Sequence, residues 1–528
     1  MRASSALVLL ALCTASACGG AGAASAPPDV LVVVWDTTRS DRLSAYGYDT
    51  ATTPWLERFQ AEATTFDCLA PGSNTIATHG SLFTGLPPRA HGATFRNKRL
   101  PADHETLAER LSAHGYATWL YSANPVLSSP VGFDQGFEVV DHPWDEDRAD
   151  AAVAAMLPKV RGGDNGTGVR VRLEGGEWGG SDLTGSGELA APATEAFLAG
   201  LARDDDDRPV FALVNLMDAH YPLLPARPFR ERVMDAEAIA ESYAISRRWN
   251  DLWRDTAGVE PIDERARAVA SAMYDAAMAE LDAHTEALVA AFLDGLGPER
   301  AARAIVAVTS DHGEHLGERY GGVPMHDHRY SLYDELLRVP LVVRAPGHLE
   351  QGAWGSGAMV QDLFPSILRW TGAEPGDSVE TGYARPLGSG SSEPRPRLSE
   401  YLDDFGAPAQ APTLPEAAWD ATGLGGPLVT VREGGSGVGW RPGARTGIGF
   451  ESPVVVHPNN GGFAGWSAAG TDFVELEPSV RTDREADLER YEAETAPHPR
   501  LYAGPSELTD EQLEMLERLG YGDLAGGH

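Results

Sequence analysis

Lysine is almost missing from this chain: Lys98 and Lys159 are the only two, and 77 acidic residues against 42 basic ones leave a net charge of −35. Nucleic acids and anionic bilayers are bound through basic patches, so this balance argues against both as partners. The acidic excess reads as solubility in a salty exterior. Cysteine is as scarce, with Cys13, Cys18 and Cys68 the full set. A chain that loses the first with a leader and carries a modified second has no disulfide framework. Beyond the N-terminus no apolar run is long enough to span a bilayer, and no internal repeat is visible.

The first 28 residues read as a signal peptide and tether. Arg2 precedes an apolar run over residues 6–12, and Ala15-Ser16-Ala17-Cys18-Gly19 then follows the pattern of an export signal ending at a lipidated cysteine. Lipid-attachment boxes usually carry leucine where Ala15 stands, and cleavage after Ala17 or near Ala26 is the alternative. Either way the chain is expected to be exported, periplasmic or at the cell surface, with Cys18 the one route to a membrane.

What is present is organised around residues 304–346. An apolar run over 304–309 reads as a buried strand and delivers Asp311 and His312 at its C-terminal end, where open α/β sheets place their ligands. A loop with Glu314, His315, His326 and His328 follows, and a second apolar run over 339–343 returns the chain to the sheet. Residues 29–35, DVLVVVW, form another buried strand that ends at Asp36. Arg39, Asp41 and Arg42 come next in a loop, and a short helix starts at Thr75 and stops at Gly85. Further strands are expected at 117–122 and 210–216, the latter ending in Asp218-Ala219-His220-Tyr221-Pro222. Residues 158–188 are glycine-rich and acidic, as in a surface insertion, and Asp282 in a long helical region is expected to cap or pair. After residue 372 glycine, proline and serine dominate, and short strands are expected at 397–401, 428–432, 453–456 and 472–476, with helices near 483–494 and 506–519.

The runs DVLVVVWDTTRSDRLSAYGY, SNTIATHGSLFTGLPPRAHG, VAVTSDHGEHLGE and SLYDELLRVPLVVRAPG, in that order, resemble the sulfatase family of the alkaline-phosphatase superfamily. The resemblance implies an α/β fold with a mostly parallel sheet flanked by helices over residues 29–372, and a linker with a smaller α+β subdomain over 373–528. It also makes His220 a substrate or metal contact and puts His328 where the family has a histidine. The departures are specific. Sulfatases carry a cysteine or serine that is oxidised to formylglycine; here the corresponding motif reads Thr75-Ile76-Ala77-Thr78-His79. A secondary alcohol gives at most a ketone, so aldehyde-hydrate chemistry is not available. The usual Asp-Asp pair is Asp36-Thr37, and Asn124 stands near a position where the family often has lysine.

From residue types, Asp36, Asp311 and His312 arriving at two strand ends suit one divalent ion, Ca, Mn or Zn, with the Thr75 hydroxyl as a further ligand and nucleophile. Arg39, His79, His220 and His328 would surround the remaining oxygens of a tetrahedral anion, with one histidine protonating the leaving group. The expected activity is hydrolysis of a sulfate, phosphate or phosphonate ester on a small molecule or glycan. A headgroup transferase, or a catalytically silent glycan-binding surface lipoprotein, is the alternative.

Overall fold

The computed structural model describes residues 26–401 except 95–96, 162–184, 246–254, 256–260, 321–322, 329–331, 356, 374–383 and 389–396, and beyond them four strands. The leader with Cys18, most of the acidic insertion and the two closing helices lie outside the described residues. The strands that matter here are β1 (Val30–Trp35), β2 (Thr64–Thr65), β3 (Ala117–Ser122), β4 (Val139–Asp141), β5 (Val210–Leu216), β6 (Ile305–Thr309), β7 (His315–Tyr320), β8 (Val323–Asp327), β9 (Leu341–Arg344) and β10 (Arg397–Tyr401). The principal helices are α1 (Pro54–Phe59), α2 (Thr75–Thr84), α3 (Glu264–Leu296) and α4 (Leu363–Thr371).

Seven strands form the central sheet in the order β2-β9-β6-β1-β5-β3-β4. The five from β6 to β4 are parallel, while β9 and β2 close one edge antiparallel. The expected α/β architecture is what forms. Its physical basis is visible in β1, which is buried on both faces. Val30, Val32 and Val34 pack with Leu82 of α2 and Phe364 of α4, and Leu31, Val33 and Trp35 pack with Leu56 of α1 and Met273 and Leu281 of α3. A period of two therefore divides one apolar run between two cores.

The stretch after Asp311, read from sequence as a loop, is partly a hairpin of β7 on β8 with an irregularity between Leu316 and Glu318. Its mixed polar and apolar residues carry no clean alternation, so pairing with a partner strand decides its conformation. Asp282 does cap, but across the fold: its carboxylate accepts from the amides of Trp55 and Leu56 in the first turn of α1, at 2.8 and 2.9 Å.

A second sheet of five antiparallel strands runs β10, Leu428–Arg432, Val454–His457, Gly462–Trp466, Phe473–Val474. The glycine-containing fourth strand is the one that strand composition does not signal. β10 docks on the segment that leads into α2. Glu400 N donates to Pro71 O at 2.8 Å, Ser399 Oγ to Ala70 O at 2.6 Å, and the buried Glu400 carboxylate pairs with Arg89 just beyond α2.

Removing one member of a buried ion pair leaves the other charged and desolvated. Glu400→Ala should therefore cost about 3 kcal/mol of stability, read as a lower denaturant midpoint at constant slope, and an unchanged midpoint would show that this clamp carries no load.

Candidate active site

Because β1 and β6 are parallel neighbours, their C-terminal ends lie side by side and bring Asp36 and Asp311 together. The two connecting loops are tied to each other. Thr37 N donates to Asp311 Oδ1 at 3.1 Å, Thr38 N to Ser310 Oγ at 2.9 Å, and Tyr274 Oη to Thr37 O at 2.6 Å. These bonds hold Thr37, a β-branched residue, at φ 58°, a conformation such residues adopt only when their surroundings impose it. Gly313 is required for a different reason: a Cβ there would lie 1.8 Å from the Glu335 carbonyl oxygen.

Asp36 Oδ2 accepts from Asn124 Nδ2 at 2.7 Å and Asn215 Nδ2 at 3.1 Å, and Asp311 Oδ1 also accepts from His312 N at 2.8 Å. That leaves Asp36 Oδ1 and Asp311 Oδ2 buried with no hydrogen-bond partner. Burial, and then the neighbouring Asp36, raise the Asp311 carboxyl well above the usual range. His312 completes the group. Its Nδ1–H donates to Gly313 O at 2.9 Å, so Nε2 keeps its lone pair, 3.3 Å from Asp311 Oδ2. Burial and the adjacent His328 lower the proton affinity of this ring far below that of free histidine. One ligand atom from each of Asp36, Asp311 and His312 falls within a 4.8 Å span. Two orphaned oxygens and a neutral imidazole form a donor set that fits a divalent cation.

Thr75 is the first residue of α2, and its hydroxyl is not the helix cap. Asn74 caps instead, accepting from Ala77 N at 2.9 Å. Thr75 Oγ1 lies 3.4 Å from His312 Nε2 and 3.5 Å from Asn124 Nδ2. Both exceed a normal hydrogen bond, so the hydroxyl faces the carboxylate group without being committed to it. His79, one turn on, donates from Nδ1 to Thr75 O at 3.1 Å and lies 3.6 Å from Asp311 Oδ2, with its ring edge-on to Phe83 and Phe133. Burial lowers its pKa to about 4, so it is neutral here.

Of the other candidates, His328 and His220 join the group and Arg39 turns away. The His328 ring stands 4.3 Å from that of His312, and the His220 ring 5.3 Å from that of His328. Arg39 is buried and forms a bidentate pair with Asp41 at 2.8 and 2.9 Å, with Nη1 on Glu318 and on the Glu314 carbonyl. Asp218 also turns away. Its carboxylate meets His284 Nδ1 at 3.1 Å and Lys159 Nζ at 3.8 Å, and Lys159 is further held by Glu280 at 3.0 Å. His326 bonds Asp255 at 3.0 Å, and His315 lies 3.8 Å from Glu318, so neither is placed in the group around Thr75.

Three residues enter the site that sequence reasoning did not single out for it. Asn124 and Asn215 orient Asp36, and Glu314 accepts from His328 Nδ1 at 3.0 Å. The signal for Asn215 was a lone amide inside the buried run VFALVNL. For Glu314 it was only proximity to Asp311 and His312.

The family model described as Sulfatase matches residues 28–373. The steryl-sulfatase of Mus musculus is 29% identical over 420 residues, covering 69% of this chain and 65% of its own length. Arylsulfatase A of Homo sapiens is 25% identical over 411 residues, 72% of this chain and 71% of its own. The chain thus spans just under two thirds of the mouse protein. Among solved structures, a phosphonate monoester hydrolase from Silicibacter pomeroyi superposes with a TM-score of 0.62 at 19% identity, over 89% of this chain and 96% of that one.

A cation ligated by Asp311 competes with the proton that burial and the neighbouring Asp36 favour on that carboxyl. Calorimetric titration with Mn²⁺ at neutral pH, in buffers of different ionisation heat, should show release of about one proton per ion. Asp311→Asn should lose both the binding and the release, and binding without proton uptake by the buffer would show the pair to be fully ionised beforehand.

Proposed function

Since the chain belongs to the sulfatase family, we propose that it is an exported ester hydrolase in which Thr75 takes up the transferred group before water removes it. The observation that carries this reading is the placement of the Thr75 hydroxyl, released from capping by Asn74 and set 3.4 Å from His312 Nε2 beside two carboxylates with orphaned oxygens. A divalent cation held by Asp36, Asp311, His312 and Thr75 would supply charge neutralisation and lower the pKa of the hydroxyl. The imidazole ligand makes Mn²⁺ and Zn²⁺ as acceptable as Ca²⁺.

The chain's own residues supply the rest. The N-terminus of α2 adds the positive end of its dipole where an oxyanion would sit. Asn124, already on Asp36, lies within reach of Thr75 and so of any group attached to it. His220 and His328, with the His328 ring 4.3 Å from that of His312 and 5.3 Å from that of His220, are the imidazoles from which a leaving group can take a proton. The substrate class follows from the nucleophile. A sulfated formylglycine hydrate expels sulfate by collapsing to an aldehyde, and a threonine ester has no such exit. Turnover then requires water to attack the tetrahedral centre itself, a route that is easier at phosphorus than at sulfur. The structural likeness to a phosphonate monoester hydrolase supports including phosphonates. Small-molecule and glycan esters are the substrates in view.

With a panel of matched aryl phosphates, phosphodiesters, phosphonates and sulfates, the phosphorus esters should be turned over faster. Thr75→Ala should lower kcat on the order of a thousandfold while the cation stays bound. Sulfatase activity above phosphatase activity, or a Thr75→Ala protein at near wild-type rate, would refute the assignment. Inactivity on every ester would favour a binding protein.

The N-terminal reading is part of the same proposal. Metabolic labelling with a palmitate analogue should mark the wild type and not Cys18→Ala; label retained by the variant would remove the claim for Cys18, and an unlabelled wild type would leave plain cleavage as the explanation.

A further inference from the structure

The outermost parallel strand of the central sheet ends in a pair of rings that the ester chemistry does not use. β4 runs parallel to β3 with Asp141 level with Tyr121, so His142 leaves the sheet at the same C-terminal edge that carries Asp36 and Asp311. Its Nδ1–H donates to Ser122 O at 2.8 Å, which leaves a lone pair on Nε2. Partial burial holds the ring below the usual histidine pKa, so it is neutral. The Trp144 ring stacks on it, with centroids 4.6 Å apart and planes 11° apart. Both side chains remain partly exposed, and no hydrogen bond to a described residue engages His142 Nε2 or Trp144 Nε1.

Two routes tie this pair to the group around Thr75. Ser122, which accepts from His142, also holds Asn124: the Asn124 amide donates to Ser122 Oγ at 3.0 Å, and Asn124 Nδ2 reaches Asp36 at 2.7 Å and lies 3.5 Å from Thr75 Oγ1. On the other side Trp144 and Leu224 pack on Ala152 and Met156, and Leu224 belongs to the segment that starts at His220. Neighbouring strands are about 4.8 Å apart, so the rings stand one strand beyond the one that supplies Asn124.

The surroundings select the ligand. Stacked rings suit the C–H face of a sugar or an aryl group. The imidazole lone pair and the carboxylate of Asp145, which accepts from the His142 amide at 2.6 Å, also take hydroxyl protons, which a plain aryl group lacks. Arg148 is shared by Asp141, Asp145 and Asp147 at 3.1, 3.3 and 3.2 Å, with Glu146 exposed beside them. Local charge is therefore negative and repels a second anionic group on the ligand.

We propose that His142 and Trp144 form a subsite for an uncharged sugar that carries the ester, with the sugar stacked on the ring pair and one of its hydroxyls donating to His142 Nε2. The proposal rests on the hydrolase reading given above and narrows its substrate. Because the rings stand apart from the reacting atoms, they bind ground and transition states alike, and their contribution is read in KM.

The test uses the full chain and three esters of whichever class the panel above shows to be turned over fastest: one of ethanol, one of a neutral hexose through its primary hydroxyl, and one of the same hexose bearing a further phosphate. Wild-type KM should be on the order of tenfold lower for the neutral hexose ester than for the ethyl ester, and the added phosphate should abolish that advantage. Trp144→Ala should bring the hexose and ethyl KM values together, and Trp144→Phe, which keeps a ring, should separate them again. His142→Phe, which keeps the stack and removes the acceptor, should retain part of the separation. The ratio of the two KM values is the readout, so a general loss of activity or folding in a variant does not imitate the effect. A wild type with no preference for the hexose ester, or a Trp144→Ala protein that keeps the preference, would overturn the inference while the hydrolase reading stands on the ethyl ester. A wild type that hydrolyses no ester would remove both.

Discussion

Two carboxylates, Asp36 and Asp311, are buried beside each other at the ends of adjacent parallel strands, and each keeps one oxygen with no hydrogen-bond partner. A buried charge is tolerated only when paired or ligating a metal, and two of one sign raise the cost further. Much of the surrounding structure holds this pair in place. Asn124 and Asn215 fix one carboxylate, the Thr37 and His312 amides fix the other, and Thr37 accepts an unfavourable backbone conformation to make its contact. Two such oxygens beside a neutral imidazole form a donor set suited to a divalent cation.

The Thr75 hydroxyl is brought to this pair by a separate piece of the fold. Asn74 relieves Thr75 of capping, and the strand Arg397–Tyr401 from the C-terminal sheet holds the approach to the helix through Ala70, Pro71 and Arg89. The second sheet therefore supports the site through the strand Arg397–Tyr401.

Cationic side chains that could have faced an oxyanion are engaged elsewhere. Arg39 is bound by Asp41 and Glu318, and Lys159 lies among Glu188, Asp218 and Glu280. Among the described residues, the groups around Thr75 are imidazoles, an amide and a helix N-terminus, which either titrate or carry only partial charge.

Some of this was determined by sequence alone. Short continuous apolar runs rich in valine, such as VLVVVW and VFALVNL, favour strands buried on both faces over helices, and polar residues just past such parallel strands are delivered to one sheet edge. The α/β class and the meeting of Asp36, Asp311 and His312 were legible for that reason, whereas His220 and His328 were placed with them by the family resemblance and Thr75 by its helix start. The direction in which each side chain turns was not. Whether Asp218 faces the site or pairs with His284 and Lys159, and whether Arg39 adds Glu318 to its neighbour Asp41, depend on contacts between segments separated by tens to hundreds of residues. A local pattern carries no information about which of two partners will be closer. The Glu314–His328 pair belongs to this second kind, since only the pairing of β7 with β8 brings the two ends of that hairpin together.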